Sequence, residues 1–394
     1  MDFGALFSAM PGAVAQGLIW GIMAIGVYIT YRVLDVADLT VDGSMCTGGA
    51  VCVMMILHGH NVWISMLCAL FVGLLTGLMT GIFHVTMGIP AILAGILSQI
   101  ALYSINLKII GSSNQVISSN KYDVLVAIKY TSDVPFYKNT IFIVAIITII
   151  IIALLYWFFG TSLGCSLRAT GSNKNMSRAQ GINTKLNTVL GLMISNGLVA
   201  LSSALYSQYQ GFVDINMGRG AIVIGLAAVI IGTVLFEKIF KNFALKLLSV
   251  SIGAIVYYVV LQVVIWLGFD SDLLKLLSAL VVAVFLALPY WKKTYMPAIK
   301  SLNKRMDIRK KNKAVIKARK AEKRIEIKKN KAAIKARKAE KRMEIKKNKA
   351  AIKAEKAEKR VETKKNKPAR KVEKAEKRVE TKKNKATIKN KKEV

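Results

Sequence analysis

Runs of about 20 apolar, nearly uncharged residues recur through the first three quarters of this chain, long enough to cross a hydrocarbon core of roughly 30 Å at about 1.5 Å of rise per helical residue. Lipid offers no hydrogen-bond partners, so backbone crossing it must satisfy its own bonds, as a helix does. The expected fold is an all-α polytopic membrane protein with about nine transmembrane or re-entrant helices and a long basic, partly helical C-terminal tail. Candidate spans are Ala13 to Tyr31, Met45 to Leu57, Val62 to Met87, Ile89 to Ile110, Thr140 to Phe159, Leu186 to Tyr209, Ala221 to Phe236, Ala244 to Phe269, and Leu273 to Tyr290. The second and seventh are short for a bilayer, which predicts tilted, re-entrant or internally buried segments.

Charge divides the chain in two. Residues 1–300 carry 17 Lys/Arg and 10 Asp/Glu, whereas residues 301–394 carry 40 and 12, so a transmembrane domain, 1–300, is expected to precede a Lys-rich cytoplasmic tail, 301–394. Basic residues in short loops are retained on the cytoplasmic side during insertion. In a nine-span arrangement Arg32, the loop with Arg168, Lys174, Arg178 and Lys185, the turn with Lys238 and Lys241, and the tail share one side, which is read as the inside. The N-terminus with Asp2, the His58 and His60 turn, the Ser112 to Lys138 segment, and the turns holding Asp214, Arg219, Asp270 and Asp272 fall outside. Lys121, Lys129 and Lys138 weaken that bias without reversing it. The expected location is a cell membrane, multi-pass, N-terminus outside and C-terminus cytoplasmic.

The first apolar run lacks a basic segment before it and a small-residue cleavage pattern, so it is expected to be retained as a span. Cys46, Cys52, Cys68 and Cys165 fall in spans or the cytoplasmic loop, where packing rather than a disulfide framework is expected. No G-x-x-x-x-G-K-[ST] loop occurs, so the backbone cradle and lysine that hold nucleotide phosphates are missing. His58 and His60 are too few ligands for a metal. No catalytic residues and no cofactor are expected on this chain.

The most specific motif is Thr161-Ser-Leu-Gly164-Cys-Ser-Leu-Arg168-Ala169-Thr170-Gly171-Ser-Asn173, followed by Gly181-Ile182, between two apolar runs. A short rigid helix lying on the membrane surface needs sharp chain reversals at its ends, and Gly171 and Gly181 are placed to bracket one. Arg168 offers a planar fork to a carbonyl or carboxylate, or a positive anchor to lipid phosphate. This stretch resembles the cytoplasmic loop of ABC-importer permeases of the branched-chain amino acid and ribose group, and the resemblance covers most of residues 10 to 290. Asp38-Leu-Thr-Val-Asp42-Gly43-Ser44 looks like a segment of the less characterised amino-acid branch of those permeases. The family usually has two small residues, often alanines, where Met176 and Ser177 stand here.

The resemblance implies a permease subunit of an ATP-driven importer, with an amino acid or similar small solute as substrate. It implies a separate cytoplasmic ABC ATPase that holds ATP and Mg, an external substrate-binding protein, and a second permease copy, as a homodimer or paired subunit. Gly164, Arg168, Ala169, Thr170, Gly171, Asn173, Gly181 and Ile182 would form the ATPase-coupling loop. A stand-alone channel or secondary transporter without a motor is the competing class, and a membrane anchor serving the basic tail is a third.

Polar residues inside spans are costly and often face a bundle interior or a water-filled path. Gln16, Asp42, Ser44, Gln99, Asn106, Asn196, Ser202 and Gln208 are therefore candidates for the translocation path, with interhelical hydrogen bonding as the alternative for each. No strong intramembrane acid or base is expected, which argues against proton coupling. Gly73, Gly77 and Gly81 have the spacing of close helix packing.

In the tail Lys-Lys-Asn recurs at 310, 328, 346, 364 and 382. Eighteen residues make five whole helical turns, so each copy presents the same face. Ala314, Ala318, Ala321 and Ile325 line one thin stripe that returns in the next two copies. Pro368 replaces the alanine of the earlier copies, predicting an end or kink there, with partial helicity from about Asn303 to Lys367 and disorder beyond. The charge suits anionic lipid, and the lack of aromatic residues disfavours specific RNA recognition.

Overall fold

The computed structural model describes residues 3–131, 135, 138–236, 239–240, 242–268 and 274–389. Its α-helices are α1 (Phe3–Tyr28), α2 (Thr40–Leu57), α3 (Val62–Val85), α4 (Ala91–Ile110), α5 (Thr140–Gly160), α6 (Ser162–Ser172), α7 (Lys174–Ala179), α8 (Thr184–Gln210), α9 (Ala221–Phe236), α10 (Phe243–Trp266) and α11 (Leu274–Lys389). A π-helical turn, Ile29–Leu34, continues α1. Strands β1 (Asn114–Val116) and β2 (Phe212–Asp214) pair antiparallel with Gln115 opposite Val213.

Asparagine side chains start several of these helices. Asn61, Asn139, Asn173 and Asn183 accept hydrogen bonds from backbone N–H groups in the first turns of α3, α5, α7 and α8, satisfying donors that have no partner within the helix. Seven helices among the described residues are long and apolar enough to cross a membrane: α1 with its π turn, α2, α3, α4, α5, α8 and α10. The second span begins at Thr40, five residues before its sequence-based start, and so reaches spanning length. The seventh, α9, stays short at 16 residues. The ninth apolar segment forms the start of α11. Asp2, Lys238, Lys241, Asp270 and Asp272, used above for sidedness, lie outside the described residues.

Contacts divide the chain into two units, Met1–Met296 and Pro297–Val394. At the centre of the first are α1, α2 and α8, with 72–78% of each span buried, against 22% for α5. Small residues permit that packing. Gly73, Gly77 and Gly81 of α3 lie on the backbone of α8, where a Cβ at Gly77 would collide with the Leu192 carbonyl, so the spacing read from sequence is a close seam.

Contacts also fix helix direction. Ser44 bonds Asn196, Gly48 touches Ala200 and Gln208 bonds Cys52, so α2 and α8 run parallel. Ser195 bonds Gly26 and Ser202 bonds Ile19, so α1 runs against them. The β1–β2 ribbon marks one end of the bundle, while α6, the π turn and Arg32 mark the other.

In the second unit every side chain from Lys311 to Val361 is exposed. The alanine stripe is uncovered, and Ile316, Ile327, Ile334, Ile345 and Ile352 line the opposite face. Helix continues through Pro368 to Lys389, so the expected stop is not where the helix ends. Proline removes one hydrogen bond, yet its fixed φ is itself helical.

Candidate translocation site and coupling surface

Between the π turn and α2 the chain breaks at Asp35–Leu39. Asp35 takes a left-handed conformation, φ 55°, which Asp tolerates better than most residues. The link then climbs back into the bundle, so α2 begins beside Asn196, roughly 18 Å along α8 from its start. The Asp38 carboxylate, 3% exposed, accepts from the Thr40 N–H at 2.9 Å and from Asn196 Nδ2 at 2.7 Å. Ser44 donates to Asn196 Oδ1 at 2.6 Å and meets Thr76 Oγ1 at 2.8 Å. Thr40 meets Thr80 at 2.6 Å, and Thr80 donates to Ser98 at 2.7 Å. One buried network thus ties the link to α2, α3, α4 and α8. It corrects the expectation of no intramembrane acid: Asp38 sits level with the middle of a span, its polarity met by partners rather than by water.

A second short helix starts inside the bundle. The loop after β2 dips until Gly218 rests on the Asp42 carbonyl. The Asp42 carboxylate then accepts from the N–H groups of Gly220, at 3.1 Å, and Ile222, at 3.0 Å. An α2 carboxylate therefore caps α9, where the helix dipole favours negative charge. A cavity of about 360 Å³ adjoins this crossing, lined by Asp42, Gly43, Cys46, Gln99, Tyr103, Asn106 and Arg219 among others.

Of the proposed path residues, Asp42, Gln99 and Asn106 line this cavity, while Ser44 and Asn196 belong to the Asp38 network. Ser202 instead donates to the Ile19 carbonyl of α1 at 2.7 Å. Gln208 holds the Leu125 N–H at 3.0 Å and the Ala204 carbonyl at 3.1 Å. Gln16 bonds Tyr206 on the α1 side of α8. Asp38, Thr40, Thr76, Thr80, Ser98 and Arg219 were missed. The signal for two of them was available, because Gly73, Thr76, Gly77, Thr80 and Gly81 fall on one face of α3 at helical spacing.

At the opposite end α6 and α7 lie across the bundle. Gly164 packs on the Phe158 carbonyl and Gly171 on the Val33 carbonyl of the π turn, with Leu167 and Thr170 buried between them. Asn187 of α8 donates to Ser166 at 3.1 Å and to Thr170 at 3.0 Å. This corrects the reading of Gly171 as a chain reversal: it is helical, and the reversal falls at Asn173, whose backbone is extended and whose side chain caps α7. Gly181 does turn the chain, at φ 77°, and Ile182 follows, its N–H bonding the Ser177 carbonyl at 3.0 Å. Arg168 is exposed, lies 5.8 Å over the Phe243 ring and donates to Cys165 at 3.3 Å. It borders a second cavity, about 530 Å³, with Trp157 and Asn242. Ala169 is half-buried beside it. Ser177 is buried at 3% exposure, whereas Met176 protrudes at 63%.

Comparison with known proteins identifies a family. Residues 10–288 match the family described as "Branched-chain amino acid transport system / permease component". The tyrosine transport system permease protein of Clostridioides difficile is 37% identical over 280 residues, covering 71% of this chain and 91% of that protein. The fructose import permease protein FruF of Bifidobacterium longum is 26% identical over 290 residues, covering 71% and 76%. The autoinducer 2 import system permease protein LsrC of Escherichia coli is 26% identical over 220 residues, covering 55% and 61%. No solved structure matches. With the family match spanning most of a bundle of membrane-crossing helices, the chain belongs to the permease components of the branched-chain amino acid transport family, which are ABC-importer permeases.

Proposed function

We propose that this permease imports an amino acid or similar small solute across a bacterial plasma membrane, with α6, α7 and the C-terminal tail in the cytoplasm and the N-terminus outside. A separate ABC ATPase carrying ATP and Mg docks on α6 and α7, an external binding protein delivers substrate, and a second copy of the chain completes the pore. The observation that carries this reading is the seating of α6 on the π turn that ends α1, which makes a push on the coupling surface a push on the first span. Similarity to the tyrosine permease, higher than to the sugar and autoinducer permeases, supports the amino-acid class.

The test is reconstitution in proteoliposomes with a candidate ABC ATPase and a candidate binding protein. L-tyrosine uptake should require ATP and all three components. Arg168→Ala, which removes the guanidinium from the coupling surface, should cut substrate-driven ATP hydrolysis several-fold while insertion is unchanged. Uptake by the chain alone, without ATP, would favour a channel or secondary transporter instead.

The tail is assigned to adhesion on anionic lipid. Its lysines flank an exposed isoleucine stripe, and each basic residue held near such a surface contributes about 1 kcal/mol. Truncation after Lys300 should leave uptake intact, and the full chain should show tail protection from trypsin on anionic but not neutral vesicles, lost at high salt because exposed charges are screened over about 8 Å at physiological ionic strength. Loss of uptake on truncation, with normal insertion, would make the tail part of the transport machinery.

A further inference from the structure

The cavity beside Asp42 has opposite polarity at its two ends. At its floor Asn106 is 1% exposed, and its side-chain oxygen, buried, has no hydrogen-bond partner. Its amide nitrogen reaches the Gly43 carbonyl, at a long 3.4 Å, and the Cys46 thiol, so the open atom is the oxygen. A buried acceptor left open is costly unless a donor fills the space beside it. Beside it the Asp42 carboxylate takes backbone N–H groups from Gly220, Ala221 and Ile222, while a carboxylate has about four lone-pair sites. Acceptor capacity therefore remains on both groups. At the mouth stands Arg219, exposed and without a salt bridge among the described residues, with the apolar faces of Ile100 and Tyr103 nearby. A volume of about 360 Å³ suits a small solute, since ligand pockets start near about 300 Å³.

We propose that this cavity is a substrate subsite for the zwitterionic head of an α-amino acid. The α-ammonium, with three donors and no acceptor, sits between Asp42 and the Asn106 oxygen, and the α-carboxylate meets the Arg219 fork, which suits it bidentately. A sugar has no charge to match either end. An amine or a carboxylic acid alone leaves one charged end unpaired, so recognition needs both charges. The subsite rests on the amino-acid reading of the transported solute, and its place at the joint start of α2 and α9 puts it where a rearrangement of the two helices would open or close it.

Ser104, exposed at the cavity wall, gives a direct readout. In the full chain carrying Ser104→Cys, alkylation by a small maleimide is followed by peptide mass spectrometry at position 104. The probes are L-tyrosine, tyramine, which lacks the carboxylate, and 3-(4-hydroxyphenyl)propionate, which lacks the ammonium. A ligand at about ten times its Kd leaves the site free about a tenth of the time, so L-tyrosine should slow alkylation roughly tenfold. Neither single-charge analogue should do so at equal concentration, and adding Arg219→Gln or Asn106→Leu should abolish the protection. Equal protection by tyramine or the propionate overturns the zwitterion assignment. Absence of protection by any amino acid, in a chain that supports ATP-driven amino-acid uptake, overturns the subsite while leaving the transport reading standing. Uptake of no amino acid, with protection by fructose instead, overturns both.

Discussion

Asn196→Leu should destabilise the permease by about 2–3 kcal/mol, the cost of leaving a buried carboxyl and a buried hydroxyl short of partners. Asn196 donates its amide N–H to Asp38 and accepts from the Ser44 hydroxyl at its oxygen, so one substitution strips both the link and the first turns of α2. Ordinary interhelical hydrogen bonds in membranes average only about 0.6 kcal/mol, because the unfolded chain in lipid also finds partners. Asp38 differs, being a carboxyl group wedged between spans. Thermal unfolding in detergent should show the loss for Asn196→Leu. The double variant with Asp38→Asn should lose less than the sum of the singles, since the group left unpaired is then less costly to bury. Additive losses would mean that the two side chains do not act as a pair.

Spans were legible because lipid makes apolar length nearly sufficient as a signal. α9 was placed as Ala221 to Phe236, which are its observed ends, and the π turn, α2 and α10 shift their boundaries by a few residues. What sequence could not give was depth. Asp35 to Leu39, with two aspartates between apolar runs, reads as a surface loop by hydropathy alone. Only the contacts to Asn196 and Thr80 show that it re-enters the bundle. Arg219 was hidden for the same reason, since it was counted as an outer loop charge before β2 and the descent to Gly218 brought it to the cavity mouth. On α6 and α7 it was the local geometry of Gly171 that was misread, since it is helical rather than a chain reversal. A glycine can free a backbone angle or admit a neighbouring backbone, and the sequence does not say which. In the tail, the 18-residue repeat and Pro368 led to an expectation of partial helicity ending or kinking near Lys367, whereas the helix runs on to Lys389.

Gly171→Ala should uncouple the motor from the pore. A single added Cβ there meets the Val33 carbonyl and the Leu34 Cα, both backbone atoms, so no side chain can swing aside. Overpacking of this kind opposes close seating by about 1–3 kcal/mol, and the strain falls where α6 seats on the π turn that ends α1. The spans pack through α8 and do not depend on that contact, so the variant should insert and keep its melting temperature within a few degrees. Uptake should fall to about a tenth or less, with each 1.4 kcal/mol against the seated arrangement counting about tenfold, and trypsin should cut faster between Asn173 and Lys185. Gly160→Ala, at the other end of the same helix pair, is the control. Its Cβ would meet nothing within 4 Å and alanine favours helix, so it should leave uptake and cleavage unchanged. If Gly171→Ala transports as well as Gly160→Ala, the contact with the π turn does not transmit the stroke, and the coupling surface must act on the pore through α8, where Asn187 holds Ser166 and Thr170.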